Sequence, residues 1–495
     1  MTVQIVPRIN KKWTGANIPM HIMTRDPTLQ SVAKFIDRSL DPVGLRLDAT
    51  AGEEDQPEHY SNNALQLIEQ LDESYPTAKL REPKNGLNIL LTGATGFLGA
   101  YLLYEAMMRK SPNHVYAHVR AKSQEDGLAR IRQTCTAYGL WQEWWVSEGV
   151  LEIVVGDLEK PKLGLSDKDY NRVAEDADLI IHNGARVHWL MPYENLKAAN
   201  VESTVEAIKL CTLGRPKRLA FISSTSALDS DAFIEQSEAG RPISESDNLE
   251  SSRQGLGTGY GQSKWVSEHI IRAACARGLD AVILRSGYVM GDAKTGVSNL
   301  DDFLVRMLKG CVQVGSRPEI QNTINMVPVP QVAKLVLAMS LRGASGSTAH
   351  VEAHPRLTMN QYLATLEQYG YSVPQEPYEA WARKVEAYVE AGDDKEELAL
   401  LGLYHMVTSN LPEASKAPML EDQNAQAALE ADKEFAVGND GPAGVTAEAV
   451  GSYLAFLVAR GFMQKPEKGE LPKIELSKEQ VEALNKVGGR GGASS

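Results

Sequence analysis

The sequence predicts an α/β fold, a doubly wound parallel sheet with helices on both faces, followed by a smaller and mainly helical region. Three observations carry this. Short apolar and β-branched runs alternate with helical patterns from Leu87 to Gly287, the order that a parallel sheet with crossover helices requires. The first run, LNILL, breaks into TGATGFLG and then into the apolar helical pattern Ala100 to Met108, which reads as strand, glycine-rich turn and helix. After Gly287 the alternation stops, and candidate helices dominate beyond Thr358.

A chain of 495 residues is long enough for two or three domains with their own cores. Hydrophobic residues at 43% and charged residues at 23% are those of a soluble globular protein. The net charge of −13 argues against a nucleic acid or an anionic membrane as partner. No apolar run reaches the roughly 18 residues of a membrane span, and MTVQIVPRINKKW lacks the apolar centre of a secretory signal. Cys135, Cys211, Cys275 and Cys311 stand far apart without a C-x-x-C spacing, so neither a zinc site nor a disulfide framework is expected. A reducing cytoplasm fits this pattern.

Taken in order, residues 16–40 contain a turn at Asp26-Pro27 and an amphipathic helix with Leu29, Val32, Ala33 and Ile36 on one face. Residues 41–85, rich in Asp, Glu and Pro, read as a linker with a docking helix at Asn63–Leu71. The core, 86–345, holds strands LNILL, HVYAHV, LEIVVGD, ADLIIHNGA, RLAFISST and DAVILRSG, with helices expected at 100–110, 124–137, 166–175, 194–213 and 260–277. The acidic, glycine-rich stretch Leu228 to Gly259 is expected to be a long loop where a lid forms. Residues 288–326 are mixed and contribute to the substrate region. Beyond them come a helix Val332–Leu341, a short strand His350–Ala353, and helices at Met359–Tyr369, Tyr378–Ala391, Lys395–Leu403 and Thr446–Arg460. Residues 346–465 form the helical substrate domain, and 466–495, ending GGRGGASS, a mobile tail.

The chemistry begins at the glycine-rich turn. Gly93 permits the tight bend, Gly96 lets a pyrophosphate approach the backbone, and Gly99 lets helix pack on strand. The free N–H groups of the helix then face the phosphates. This is the dinucleotide-binding signature of a Rossmann-type sheet. Arg120 and Lys122 follow the second strand, where an acidic residue accepts ribose hydroxyls and an arginine holds a 2′-phosphate, so NADPH is the expected cofactor. Arg130 is either a second phosphate ligand or a solvated helix charge. Asp157 closes the third strand, where a carboxylate accepts from the adenine amino group. Asn183, Gly184 and Ala185 close the fourth, small residues that let the cofactor pass. Ser223-Ser224-Thr225 ends a later strand, and Tyr260 and Lys264, four apart, share one helix face. An ammonium there favours the phenolate, and a strand-end hydroxyl orients a substrate oxygen.

TGATGFLG, GDL, HNGA, ISST, YGQSK and LRSGYVMGDAKTG, in this order, resemble the extended short-chain dehydrogenase/reductase superfamily, and within it the thioester reductase domains that end carrier-protein assembly lines. HPRLTMNQYLATLEQYGY, NLPEASKAPMLEDQNAQAALEAD and AVGSYLAFLVARGFMQKP resemble the C-terminal reductase part of the fungal L-2-aminoadipate reductases. Residues 1–40 are similar to the closing half of an acyl- or peptidyl-carrier domain without its phosphopantetheine serine.

The resemblance implies that Gly93, Thr95, Gly96, Phe97, Leu98 and Gly99 cradle the cofactor phosphates, with Arg120 and Arg130 on the 2′-phosphate and Asp157 and Leu158 about the adenine. Thr225, Tyr260 and Lys264 would be the catalytic set, Lys264 also binding the ribose, and Gly287, Tyr288 and Val289 would lie beside the nicotinamide. It implies NADPH-dependent reductive release of a carrier-bound acyl thioester as an aldehyde, without a metal. The implied reaction converts a 2-aminoadipoyl thioester to 2-aminoadipate 6-semialdehyde in lysine biosynthesis, with a phosphopantetheinyl carrier protein or domain as partner. Two positions depart from the family pattern: Ser203 stands where Asn200 is followed by a glycine three residues on, and Val327-Pro-Val-Pro330 replaces V-P-V-D. Two other readings stand beside this one: an extended reductase or epimerase acting on a free small molecule, and a non-catalytic NADPH-binding remnant.

Overall fold

The computed structural model describes residues 59–78, 80, 86–110, 113–188, 191–354, 356–391, 397–434 and 444–486. The carrier-like segment 1–40 lies outside them. Seven strands form one sheet: β1 (Asn88–Thr92), β2 (His114–Val119), β3 (Leu151–Val155), β4 (Leu179–His182), β5 (Arg218–Ser224), β6 (Ala281–Ser286) and β7 (Thr348–Val351). Their order is β3-β2-β1-β4-β5-β6-β7, and every neighbouring pair is parallel. The chain leaves β1 towards β3 and returns to β4 on the other side, so the strand order reverses between β1 and β4. Ligands of such sheets bind outside the carboxyl ends of the strands at that reversal.

Period-two alternation explains the two-sided burial. Ile89 and Leu91 of β1 enter one apolar cluster with the helices Phe97–Met107 and Val329–Arg342, whereas Leu90 enters the opposite one with the helices Ser203–Thr212 and Gly259–Ala276. A third cluster, built on Phe303, Met307, Tyr362, Trp381, Tyr453 and Phe456, is the core of the C-terminal lobe.

Several expectations change. The core sheet extends past residue 345, because Thr348–Val351 pairs with β6 as its outermost strand. Helix Gln423–Ala431 packs back on that strand and on helix Val329–Arg342, so part of the region assigned to the substrate domain covers the sheet. Leu228–Gly259 is no loose lid: it holds a helix, Asp231–Glu238, and buries Phe233, Ile243 and Leu249. Ile243 also exchanges backbone hydrogen bonds with Met419 and Glu421. The expected helix 194–213 widens into a π turn at Ala198–Glu202 before Ser203–Thr212. Of the helix expected at Lys395–Leu403, the described residues show only a short turn, Leu401–Leu403.

The tail expected to be mobile from 466 carries a helix, Lys478–Lys486, that packs against helix Gln124–Ala137 and buries Ala483 and Leu484. The polar composition hid two buried apolar residues on one face. The helix expected in the linker forms at Tyr60–Glu69 and lies on helix Gly259–Ala276. There Tyr193 donates to the Asn63 side chain (2.6 Å) and Tyr60 to the Ser252 carbonyl (2.8 Å).

Candidate active site

At the reversal between β1 and β4 the backbone is bare. Gly93 has φ +70°, and a Cβ there would come 2.7 Å from Gly184 Cα and 2.9 Å from the Asn183 amide. A Cβ on Gly99 would run into the Gly93 carbonyl, and one on Gly184 would meet Leu158 Cδ1 at 2.6 Å. Gly96 is exposed and forms the N-cap of helix Phe97–Met107, with no side chain bonded to its first turn. Such a turn leaves N–H groups free for an anion, and the missing side chains leave room for a pyrophosphate. These residues therefore fit a dinucleotide. Thr95 is half-buried within the turn. Phe97 and Leu98 pack into the core beneath it, so their contribution to phosphate binding is confined to their backbone.

A hydrogen-bonded chain fixes the floor of this crevice. Ser203 donates to the Ala199 carbonyl (2.6 Å) and so accepts from His182 Nε2 (3.1 Å). His182 Nδ1 then accepts from Thr92 (3.1 Å), whose oxygen accepts the Gly184 N–H (2.9 Å). Burial and the nearby Lys264 push the His182 imidazole down to about 3, which keeps it neutral at physiological pH. Ser203, the departure from the glycine pattern, serves here through its hydroxyl.

The other cofactor candidates lie at strand ends. Arg120 is exposed just past β2, and Arg130 donates to its backbone carbonyl, which brings the two arginines together. Asp157 follows β3, held by a bond from its N–H to Leu163 O (2.7 Å). Asn183 donates weakly to Gly93 O (3.4 Å), and Ala185 is half-buried after Gly184. Gly287 follows β6, where a Cβ would lie 2.5 Å from Asn325 O, and Tyr288 donates its N–H to the same carbonyl (2.9 Å). Tyr288 and Val289 pair in parallel with Met326 and Val327.

The hydroxyls at the end of β5 have different fates. Ser223 points inward and donates to Glu268 (2.5 Å). Ser224 accepts the Ser226 N–H (3.1 Å) as the cap of the short turn Thr225–Leu228. Thr225 is half-exposed and its hydroxyl has no hydrogen-bond partner among the described residues. That turn packs on the start of helix Gly259–Ala276, where a Cβ on Gly261 would lie 2.5 Å from Ser226 O. The helix is capped by Thr258, which accepts the Gly261 N–H (3.1 Å), and Gly259 nests against Met191 and Tyr193 backbone. Tyr260 is thereby fixed in the first turn.

Lys264, one turn on, is buried; its ammonium donates to Ile222 O (2.6 Å) and stands 5.7 Å from the Tyr260 ring centroid. Burial pushes it down to about 7, opposed by Glu268.

One residue met in the sequence only within a departure from the family pattern, and one pair that escaped the sequence reading, also matter here. Asn200, in the π turn, accepts the Arg186 N–H (2.7 Å) and donates to Arg186 O (3.1 Å) and to Ser263 (2.9 Å), tying the loop after β4 to helix Gly259–Ala276. Glu268 and Arg285 form a fully buried bidentate pair (2.9–3.1 Å), with Arg285 also bonded to His350 (3.1 Å). Burial raises the Glu268 carboxyl, but Arg285, Arg272 and Ser223 outweigh it and hold it below the usual range. The available signal was the position of Glu268 four residues after Lys264; for Arg285 there was none, because its partner is distant in sequence.

A bare switch-point crevice beside a helix-borne tyrosine and lysine defines a dinucleotide-binding oxidoreductase of the short-chain dehydrogenase/reductase type. The "Male sterility protein" family, whose members carry this NAD(P)-binding domain, matches residues 91–336. Among solved structures, the terminal R domain from the myxalamid PKS-NRPS biosynthetic pathway superposes with a TM-score of 0.71 at 33% identity, over 82% of this chain and 100% of that one. The chain belongs to this family of terminal reductase (R) domains.

It is also 47% identical, over 99% of its length, to the L-2-aminoadipate reductase large subunit of Penicillium chrysogenum, covering 36% of that protein. To L-2-aminoadipate reductase of Schizosaccharomyces pombe it is 40% identical over 100% of its length, covering 35%. The chain thus spans about a third of these curated relatives.

Proposed function

We propose that the chain reduces a carrier-bound acyl thioester to an aldehyde with NADPH, and that the acyl group is 2-aminoadipoyl, released as 2-aminoadipate 6-semialdehyde. One observation carries the reaction type: the unpartnered Thr225 hydroxyl sits on the turn packed against the first turn of the Tyr260–Lys264 helix, at the carboxyl edge of the sheet beside the glycine crevice. Kinship with the L-2-aminoadipate reductases supports the acyl group. A phosphopantetheinyl carrier protein or domain is the partner that would present it.

NADPH, held by Gly93, Gly96 and Gly99, with Arg120 and Arg130 at its 2′-phosphate and Asp157 at its adenine, would supply the hydride. Thr225 hydrogen-bonds the thioester oxygen and holds its carbonyl in one orientation. Tyr260 donates its phenolic proton to that oxygen as negative charge develops. Lys264 lies one helical turn away with its ammonium anchored on Ile222 O, so it stabilises the phenolate left behind. The hemithioacetal then collapses to aldehyde and free thiol.

The test is NADPH consumption with a synthetic 2-aminoadipoyl-pantetheine thioester, beside the same acyl group on a carrier protein and a control without substrate. Consumption with aldehyde formation supports the reading; cofactor binding without consumption on either substrate defeats it. Arg120→Ala is expected to raise the KM for NADPH far more than that for NADH, and an equal rise would remove Arg120 from the 2′-phosphate.

A further inference from the structure

One buried side-chain amide beside the reacting groups is left without a structural role. Asn325 links the short strand Thr323–Ile324 to Met326–Pro328, and its backbone carbonyl accepts the Tyr288 N–H (2.9 Å). The residue is only 5% exposed, yet neither its Oδ1 nor its Nδ2 has a hydrogen-bond partner among the described residues, and both atoms are closed off from water. Asn113 and Asn200, equally buried, use both ends. Asn113 accepts the Leu87 N–H (2.8 Å) and donates to Ala106 O (2.7 Å), and Asn200 holds Arg186 and Ser263.

The backbone places this amide at the carboxyl edge of the sheet. The point where a Cβ on Gly287 would stand lies 2.8 Å from Asn325 Cγ and 3.0 Å from its Nδ2, so a glycine is what lets the amide come this close to the end of β6. Ser286 of β6 is registered with Ser224 of β5, and neighbouring strands lie about 4.8 Å apart. Gly287 and Thr225, the next residues of the two strands, therefore leave the sheet side by side. The Asn325 amide thus stands against the strand end that adjoins Thr225.

An amide buried with both ends unpaired destabilises the empty protein. A group that brings one acceptor and one donor in the same fork removes that cost. The carboxamide of a nicotinamide ring is such a group, because two primary amides pair through two hydrogen bonds. The amides of a pantetheine arm are secondary and trans, with N–H and C=O directed oppositely, so each offers only one of the two. The terminal torsion of asparagine is soft, which lets its fork turn to a partner without moving the strand.

We infer that Asn325 is a further cofactor-binding residue, whose amide pairs with the carboxamide of the nicotinamide ring and holds the ring in one orientation. The inference rests on the NADPH reading and deepens it.

The test titrates the full chain by calorimetry with NADPH and with its reduced 3-acetylpyridine analogue, in which a methyl group replaces the amide NH2. The native protein is expected to bind NADPH about fivefold more tightly than the analogue, the worth of one hydrogen bond. Asn325→Leu, close to asparagine in shape, should raise the Kd for NADPH about tenfold or more and that for the analogue less, bringing their ratio near one. Its Tm without cofactor should rise by about 1–2 °C, because the unpaired amide is gone. Asn325→Ala, which adds no bulk, should give the same ratio near one.

Equal weakening of both cofactors together with a lowered Tm would show a merely structural amide and overturn the assignment, as would unchanged NADPH affinity or a native ratio near one. A change confined to the KM of an acyl-pantetheine thioester would put the amide on the pantetheine arm and overturn it as well. All these outcomes leave cofactor binding standing. Failure of the native protein to bind NADPH would remove that reading and this inference with it.

Discussion

At the scale of single residues, the proposed chemistry depends on which hydroxyl and which cation remain available. Thr225 is available because Ser223 is bonded to Glu268 and Ser224 caps the following turn. Tyr260→Phe removes only the proton donor, so turnover should fall about 10²–10⁴-fold while NADPH binding persists; cofactor fluorescence titration beside steady-state rates checks this, and unchanged turnover would exclude Tyr260 as the acid. Lys264 makes a pH prediction. Its ammonium, brought down to about 7 by burial, loses its proton as pH rises through that value, so kcat/KM should decline on the alkaline side of neutrality. Lys264→Arg carries a cation that does not titrate; its lower rate should lack that decline. Tyr260 and Lys264 were legible from their four-residue spacing, and Thr225 from its strand-end position. Asn200 was visible only as a departure from a pattern, because its work consists of bonds to Arg186 and Ser263, 14 and 63 residues away.

At the scale of elements, the strand–turn–helix at Gly93 and six of the seven strands of the sheet could be read from apolar periodicity, which records burial directly. The seventh was read as a short strand at His350–Ala353 and forms at Thr348–Val351, four residues long after a break in the alternation, so periodicity gave it no partner in the sheet. What holds the strand ends and helix Gly259–Ala276 in register was not legible at all. Glu268, on helix Gly259–Ala276, bonds Ser223 on β5 and Arg285 on β6, and Arg285 bonds His350 on β7. Three strand ends and one helix thus meet at one buried charge pair. Removing one member leaves a desolvated charge behind, which costs about 3–5 kcal/mol, whereas replacing both by apolar residues is often close to neutral. Glu268→Ala should therefore lower Tm by about 5–10 °C, and Glu268→Leu with Arg285→Met should recover most of that loss. Calorimetry reads both; a single variant within a degree of the native protein would show that the pair does not hold the strands.

At the scale of the whole molecule, composition suggested that the chain after 466 has nothing to bind it, and the structure shows it joining two lobes. Helix Lys478–Lys486 lies on helix Gln124–Ala137 of the sheet lobe, where Gln480 fills the space above Gly139. On its other side Arg460, at the end of helix Ala447–Ala459 of the C-terminal lobe, donates to Asn485 (2.7 Å) and to Leu484 O (2.9 Å). Leu484 and Ala483 are buried in the C-terminal core. Full burial of one leucine is worth about 1.5–3 kcal/mol and each hydrogen bond about 1 kcal/mol, gains that the nine-residue helix shares between the two lobes. Removal of residues 477–495 should lower Tm by a few degrees and accelerate proteolysis between the lobes, without changing NADPH affinity, because the glycine crevice lies wholly in the sheet lobe. Leu484→Asp in the full-length chain should reproduce the loss of stability, since a buried carboxylate cannot replace the apolar contact. If the truncated chain melts as the native one does, the tail contributes no cohesion between the lobes.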